Sequence, residues 1–596
     1  MVVPRVQAAI ASAFGEEYRG TDPVVRPSQF ADIQINAAMA LAKKVGMPPR
    51  EAAAKIVDAL DLDGICTGVE ISGPGFINLT FDGTWIEELL NDEATAAAAG
   101  GAAPVVPSRQ PRRVVVDYSS PNVAKEMHVG HLRTTVVGDS LVKVLEALGD
   151  TVIRQNHIGD WGTPFGMLIE HWLEIGEDSP EAALLVEDPS AFYQAARAKF
   201  DASAAEDDGF ATRARLRVVA LQGGDEETFA VWQRLVAQSK RYFNAIYGTL
   251  GISLTDDHIA GESSYDAHLA QLCQELEGLG IARVSDGALC TFPAGFTGRD
   301  GQPLPLIIRK SDGGYGYGTT DLATIRYRVR DLQADRILYV VGAPQNVHLR
   351  MVMATARDAG WLPDTVEAVH VQIGNVLGED GKILKSRSGA PVKLMALLAE
   401  AVDRARAVID ASRPELTEEE RAVTARQVGI GAVKYADLSV GHDTEYVFDF
   451  DRMLALSGNT GPYVQYAAAR IRSILRKAGV LEQHTAAAGT ATAGTEAGGG
   501  TPATAIAVVE PAERSLALHL LEYGATLSRV GELLEPHRLS TYLFELAQLF
   551  TAFYDQCPVL KAEEPVRDSR LALCALVLLR LSGGLELLGI ETPENM

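Results

Sequence analysis

The sequence predicts an α/β protein: a doubly wound parallel sheet with a helical insertion, preceded by an α+β unit and followed by an all-α bundle. Three observations carry this. Val114-Val115-Val116 runs into a polar turn and then a helical repeat. Further β-branched runs, separated by helical segments, follow in the next 250 or so residues. From Leu454 onward, long amphipathic patterns recur with little strand signal.

In chain order, helical periodicity marks Ile33 to Ala42 and Ala52 to Leu60, and Val69 to Leu79 reads as a turn leading into a strand. On residue type alone, Phe76 is a core aromatic and Asn78 a turn amide. The Ala/Gly/Pro-rich stretch from Thr95 to Pro107 is a linker, closing a first domain over 1–107. The helix after the first strand is carried by Leu132, Val136, Val137, Leu141, Val144, Leu145 and Leu148, and stops at Gly149. His128 and His131 therefore share one face at its start, where free backbone N–H groups favour an anion. Gly130 between them lets a bulky group approach the backbone.

Thr151 to Arg154, Ile337 to Val341 and Val369 to Ile373 supply three more strands, and a ligand of such a sheet sits outside the carboxyl ends of its strands. Residues 180–305, highly charged and helical in pattern, are inserted between the halves of a central domain spanning 108–420. Within it, Ser311 to Asp321 leads into a helix; Asp321 reads as a cap and Tyr317 as a packing aromatic. Gly381 to Gly389, rich in Lys, Ser and Arg, reads either as a solvated loop or as a mobile clamp for phosphate. The last domain, 421–596, is a helix bundle interrupted over 485–505 by a flexible Ala/Gly/Thr loop that has too little apolar surface to order itself.

Composition sets limits. Of the 596 residues, 47% are apolar and 22% charged, an ordinary water-soluble balance. A net charge of -24 excludes a protein that coats nucleic acid nonspecifically, while leaving room for a local basic groove. Five scattered cysteines, Cys66, Cys273, Cys290, Cys557 and Cys574, form no Cys-x-x-Cys pair and read as reduced thiols of a cytoplasmic protein. No charge-free apolar run approaches membrane-spanning length. The first turn lacks Gly-x-Gly-x-x-Gly, which disfavours a dinucleotide dehydrogenase.

His128-Val129-Gly130-His131 resembles the "HIGH" signature of class I aminoacyl-tRNA synthetases. The longer string from Pro121 to His131, continuing through Leu132-Arg133-Thr134-Thr135 and Gly138-Asp139, resembles bacterial arginyl-tRNA synthetases in particular. The resemblance implies a Rossmann-like catalytic domain and ATP-dependent activation of L-arginine to arginyl-adenylate, with transfer to the 3′ end of its tRNA. It further implies Mg²⁺ accompanying ATP, no tightly bound cofactor, no dedicated protein metal site, a tRNA requirement for the first step, and a monomer.

The resemblance also assigns residues. His128, His131, Pro121, Gly130 and Ser386 fall at ATP. Lys385-Ser386-Arg387 resembles the "KMSKS" loop, with Ser388 where a second lysine is usual. Lys125, just before the histidine motif, is then expected to join Lys385 or Arg387 in stabilising phosphate charge. Tyr317 and Asp321 correspond to recognisers of the arginine side chain, Ser119 and Asn122 to contacts with its α-amino end and backbone, and Gln345 to a further polar contact with arginine. Gly73-Pro74-Gly75-Phe76-Ile77-Asn78 is similar to the tRNA-facing element of the N-terminal domain, with Phe76 stacking on a base and Asn78 bonding its edge. Asp568-Ser569-Arg570-Leu571 resembles the "DALR" box of an anticodon-binding module. Tyr463, Tyr466, Arg470 and Arg472 are its candidate tRNA contacts. Two rivals are a related class I synthetase for another amino acid and a noncatalytic tRNA-binding paralogue.

Overall fold

A computed structural model describes residues 2–28, 30–98, 109–123, 125–203, 209–299, 301–311, 313–385, 392–481 and 505–596. Its contacts divide the chain into two compact units, Met1–Val105 with Ile471–Gly524 and Leu546–Arg580, and Val106–Arg470 with Ala525–Glu545 and Leu581–Met596.

The first unit contains an antiparallel sheet in the order Val25–Pro27, Ile33–Ile35, Phe76–Phe81, Cys66–Ser72. Ile35, Ile77 and Leu79 are fully buried in it. Ile33–Ile35 corrects the sequence reading, which had a helical repeat from Ile33. These alternating β-branched residues pair with Leu79 and Ile77, and the helix Ala37–Val45 starts only after Asn36. The hairpin between the last two strands turns through Gly73 (φ 52°) and Gly75 (φ 143°), and a Cβ on Gly75 would lie 2.7 Å from the Pro49 carbonyl oxygen. Helices Val2–Phe14 and Gly83–Ala98 were not read from the sequence. Within this unit, Arg514 reaches both the Asp32 carboxylate (2.6 Å) and the Phe81 carbonyl (2.7 Å), and buried Arg580 pairs with Glu93 at 2.7 Å.

The second unit is built on the expected parallel sheet, in the order Glu367–Ile373, Arg336–Gly342, Arg113–Tyr118, Thr151–Gln155. The chain leaves the Arg113–Tyr118 strand for Thr151–Gln155 on one side and later returns on the other. The direction of winding thus reverses between Arg113–Tyr118 and Arg336–Gly342, which is where such a sheet opens a crevice. Val115, Ile337, Leu322, Ile325 and Val352 fill the core of one face. The helix Val129–Ala147 lies so close to the first strand that a Cβ on Gly138 would fall 2.4 Å from Cβ of Tyr118.

The insertion is helical through Glu226–Leu250, but its last part corrects the sequence reading. Ala282–Ser285, Ala288–Thr291 and Leu306–Arg309 form an antiparallel sheet. Its first hairpin turns on Asp286-Gly287, both with positive φ, an Asp-Gly turn hidden in a charged stretch.

Helices Leu394–Ser412 and Glu418–Leu438 follow, the second opened by a Thr417–Glu420 capping box. Buried Arg133 on the histidine helix ties to them: its Nε donates to Asp437 at 2.5 Å and its remaining nitrogens to the carbonyls of Thr444 and Gly441. Among the described residues all five cysteines are free and no helix is long and apolar enough to cross a membrane. The flexible-loop expectation for 485–505 falls, up to Thr504, outside the described residues, as does most of the linker.

Candidate active site

Where the first strand ends, the backbone enters the left-handed region at Ser119 (φ 70°) and Ser120 (φ 47°), a strained conformation for two consecutive non-glycine residues. Three neighbouring elements hold it. The Ser120 N–H donates to Asn156 Oδ1 (3.0 Å) and its hydroxyl to Asp117 Oδ1 (3.0 Å). The Ser119 hydroxyl lies 2.8 Å from the Tyr247 hydroxyl and accepts from Thr135 Oγ1 at 2.9 Å. Asn156 also donates to Tyr247 (3.0 Å), so a tyrosine from the insertion helix and an asparagine just past the second strand fix the serine together. Beneath the turn, fully buried Arg328 bonds Asp117 Oδ2 (2.7 Å) and Gln155 Oε1 (2.6 Å); burial opposes its charge, and Asp117 outweighs that, raising its pKa. Buried Pro121 accepts from the Gly159 N–H at 3.2 Å, and exposed Asn122 faces Gly159.

At the helix start, the His128 backbone N–H donates to His131 Nδ1 (3.1 Å), and the Gly130 N–H donates to His128 Nδ1 (3.1 Å). Each Nδ1 is therefore an acceptor, and each neutral ring carries its proton on Nε2. Burial, with the neighbouring His128, pushes His131 down to about 4; burial, with Lys125, lowers His128. At neutral pH the pair is two uncharged Nε2–H donors with centroids 4.2 Å apart. A Cβ on Gly130 would meet the His128 ring at 2.8 Å.

Across the crevice, the helix Tyr317–Arg330 presents Tyr317 and Asp321, one turn apart. Asp321 Oδ2 is 2.6 Å from His348 Nε2, and Oδ1 is 4.0 Å from His157 Nε2. Tyr317, 66% exposed, meets the His348 ring edge to face at 4.6 Å. Half-buried Glu262 completes this end; burial, reinforced by Asp321 and Asp160 and opposed by His157, raises its carboxyl to about 7.

Ser119, Asn122, His128, Gly130, His131, Tyr317, Asp321 and Gln345 all line one cavity of about 370 Å³ at the strand ends, together with Glu262, His157 and His348. A larger cleft of about 510 Å³ on the outer sheet edge contains none of the expected residues, and its arginines are already paired, Arg154 with Glu146 and Arg326 with Glu275. Lys125 and Lys385 are exposed and do not line the cavity; Lys125 Nζ sits 4.6 Å above the Tyr193 ring. Ser386 and Arg387 lie outside the described residues. The segment that holds them is anchored on both sides: Leu377 bridges Ile383 before it, and after it the Val129 N–H donates to the Val392 carbonyl and the Leu394 N–H to that of Met127.

Two groups of expected residues lie elsewhere. Phe76 is half-buried at the start of its strand, while the amide of buried Asn78 is already engaged in the sheet, donating to Ser72 Oγ and accepting from Gln34 and Ser28. Tyr463 packs at 5.5 Å on Phe544, Tyr466 is exposed, and Arg470 is half-buried on the same helix. Among the described residues, no group of three or more His, Cys, Asp or Glu is arranged to hold a metal ion.

The sequence reading missed Glu262, His157, His348, Asn156 and Tyr247. Asn156 and His157 follow directly on a strand that had been read correctly, and the rule that ligands sit at strand ends could have found them. His348 stands three residues after Gln345 in a segment already singled out. Glu262 and Tyr247 belong to the insertion and carry no local signal.

Comparison with known proteins identifies the family. Residues 97–450 match the family described as tRNA synthetases class I (R), catalytic domain; residues 464–596 match the DALR anticodon binding domain, and residues 4–81 the arginyl tRNA synthetase N terminal domain. The chain is 63% identical over 593 residues to an arginine–tRNA ligase of Thermobifida fusca, covering 99% of this chain and 98% of the relative. Among solved structures it is similar to the arginyl-tRNA synthetase of Plasmodium falciparum, with 27% identity, a TM-score of 0.81 and coverage of 100% and 98%. It is also similar to the Thermus thermophilus arginyl-tRNA synthetase, with 25% identity, a TM-score of 0.77 and full coverage of both chains.

Proposed function

The chain belongs to the arginine–tRNA ligases, class I aminoacyl-tRNA synthetases, and from that premise we propose how its crevice divides the work. The reaction has two steps. The arginine carboxylate attacks the α-phosphate of ATP, giving arginyl-adenylate and pyrophosphate; a terminal ribose hydroxyl of the tRNA then attacks the adenylate carbonyl and releases AMP.

In our reading, Tyr317, Asp321 and Glu262 receive the guanidinium, which needs carboxylates and planar acceptors in fixed positions. Ser119 and Asn122 hold the α-amino end and backbone, with Ser119 set by Tyr247 and Thr135, and Gln345 adds a further polar contact. His128 and His131 donate Nε2–H to the phosphates as neutral groups, and Gly130 leaves room for the nucleotide beside Pro121. Because the histidines bring no charge, the negative charge that develops on leaving pyrophosphate falls to cations: Lys125, Lys385 and Arg387, with Ser386 beside them. Mg²⁺ enters on the ATP phosphates. The surfaces around Phe76 and Asn78, and around Tyr463 and Arg470, meet tRNA, and the enzyme works as a cytoplasmic monomer.

The observation that carries this reading is the convergence of a neutral histidine pair and an acidic pair on one cavity at the reversal point of the sheet. Its test is pyrophosphate exchange with arginine, lysine and citrulline, each with and without tRNA. Exchange with arginine alone, appearing when tRNA is added, is expected. Exchange with citrulline at a comparable rate overturns the guanidinium assignment.

A further inference from the structure

Asp321 owes its orientation to a residue on another helix. Its Oδ2 lies 2.6 Å from Nε2 of His348, on the helix Asn346–Asp358. A carboxylate only accepts, so this nitrogen carries the proton and the bond is charge-assisted. The same imidazole packs edge to face against Tyr317 at 4.6 Å between centroids. Both side chains are well screened, with 15% of His348 and 18% of Asp321 exposed. One ring thus touches both residues that the helix Tyr317–Arg330 sends into the cavity.

The contact restricts what can bind. His348 takes one acceptor site on Oδ2 and so fixes the plane of the carboxylate, which sets the directions in which Oδ1 and the rest of Oδ2 face a ligand. A guanidinium carries five N–H donors, more than the sites left on one carboxylate can accept, so its remaining N–H groups must find another acceptor. Glu262 lines the same cavity and is the second carboxylate available.

We infer that His348 is a positioning residue for arginine selection: by holding Oδ2 of Asp321 and buttressing Tyr317, it fixes where the guanidinium sits. The inference rests on the reading of Asp321 as a guanidinium partner.

The test is steady-state aminoacylation by the full chain, with arginine and ATP varied in turn. H348M fills the space without a donor, H348F keeps a ring against Tyr317 without a donor and serves if H348M does not fold, and H348Q restores an N–H donor. A donor-less variant is expected to raise the arginine KM by roughly tenfold or more, the effect of losing a hydrogen bond to a charged group, with the ATP KM unchanged. H348Q is expected to recover most of that loss. An arginine KM that stays at the wild-type value, a rise shared equally by ATP, or H348Q as impaired as the donor-less variant overturns the inference. D321N separates the two layers. If it too leaves the arginine KM alone, the assignment of Asp321 falls and this inference with it; if D321N raises the KM while the donor-less variants do not, only the role of His348 falls.

Discussion

The two ends of the cavity are built differently. The histidine end is local: His128, Gly130 and His131 lie within four residues, and backbone N–H groups of the same turn fix both imidazoles. The acidic end is assembled from a distance, with Asp321 and Tyr317 on one helix, His348 on another, His157 after a strand and Glu262 in the insertion. Local construction makes a site that tolerates little change at any position, because each residue is also part of the scaffold. Distributed construction spreads recognition over elements that can be altered one at a time.

The sharpest way to break this contrast is at Gly130. In Gly130→Ala the new Cβ would lie 2.8 Å from the His128 ring, which must move and lose its backbone bond. We expect pyrophosphate exchange to fall by about 100-fold in kcat, the size of effect seen when a preorganised donor is lost, with the arginine KM little changed. An enzyme of normal kcat would show that the proposed phosphate role of the histidine end does not depend on this turn.

Glu262→Gln probes the other end and should act on binding. Removing one of two carboxylates should raise the arginine KM by about tenfold with kcat nearly intact, as measured in aminoacylation. A loss confined to kcat would contradict the division of labour.

The smallest effect should appear in the pH dependence of stability, where the two ends have opposite signs. His131 is held near 4, below its ordinary 6.5, so its contribution is fully present above pH 6.5 and is lost as the pH falls towards 4. Glu262 is raised to about 7 from 4.5, so its contribution is present below pH 4.5 and is lost as the pH rises towards 7. Denaturant unfolding from pH 4 to 8 should therefore lose its acid-side fall in His131→Asn and its neutral-side fall in Glu262→Gln. If neither variant alters the profile, the two groups titrate normally in the folded chain.

Legibility in the sequence follows the same divide. The four strands of the parallel sheet could be read because runs such as Val114-Val115-Val116 are buried on both faces, and the histidine pair because its geometry depends on helix spacing alone. Tyr317 and Asp321 are singled out by the family resemblance alone, since residue type makes them a packing aromatic and a helix cap. Glu262 could not be read, because only the folding of the insertion brings it to the cavity. Ile33–Ile35 was misread because a short apolar run satisfies helix and strand periods alike, and pairing with Phe76–Phe81 decided between them. The Asp286-Gly287 hairpin carries its turn signal in the sequence, but the charged residues around it mask the short strands that it joins.

The left-handed pair Ser119-Ser120 has a consequence for anyone who would engineer this enzyme. Glycine adopts such angles freely, so a screen for heat resistance alone would be drawn to Ser119→Gly or Ser120→Gly. Ser119→Gly would delete the hydroxyl that Tyr247 and Thr135 hold in place, and Ser120→Gly the one that anchors the turn to Asp117. Hardiness and the fixed shape of this turn would then pull against each other at two adjacent codons, and a selection that scores only survival would loosen the cavity wall without registering the loss.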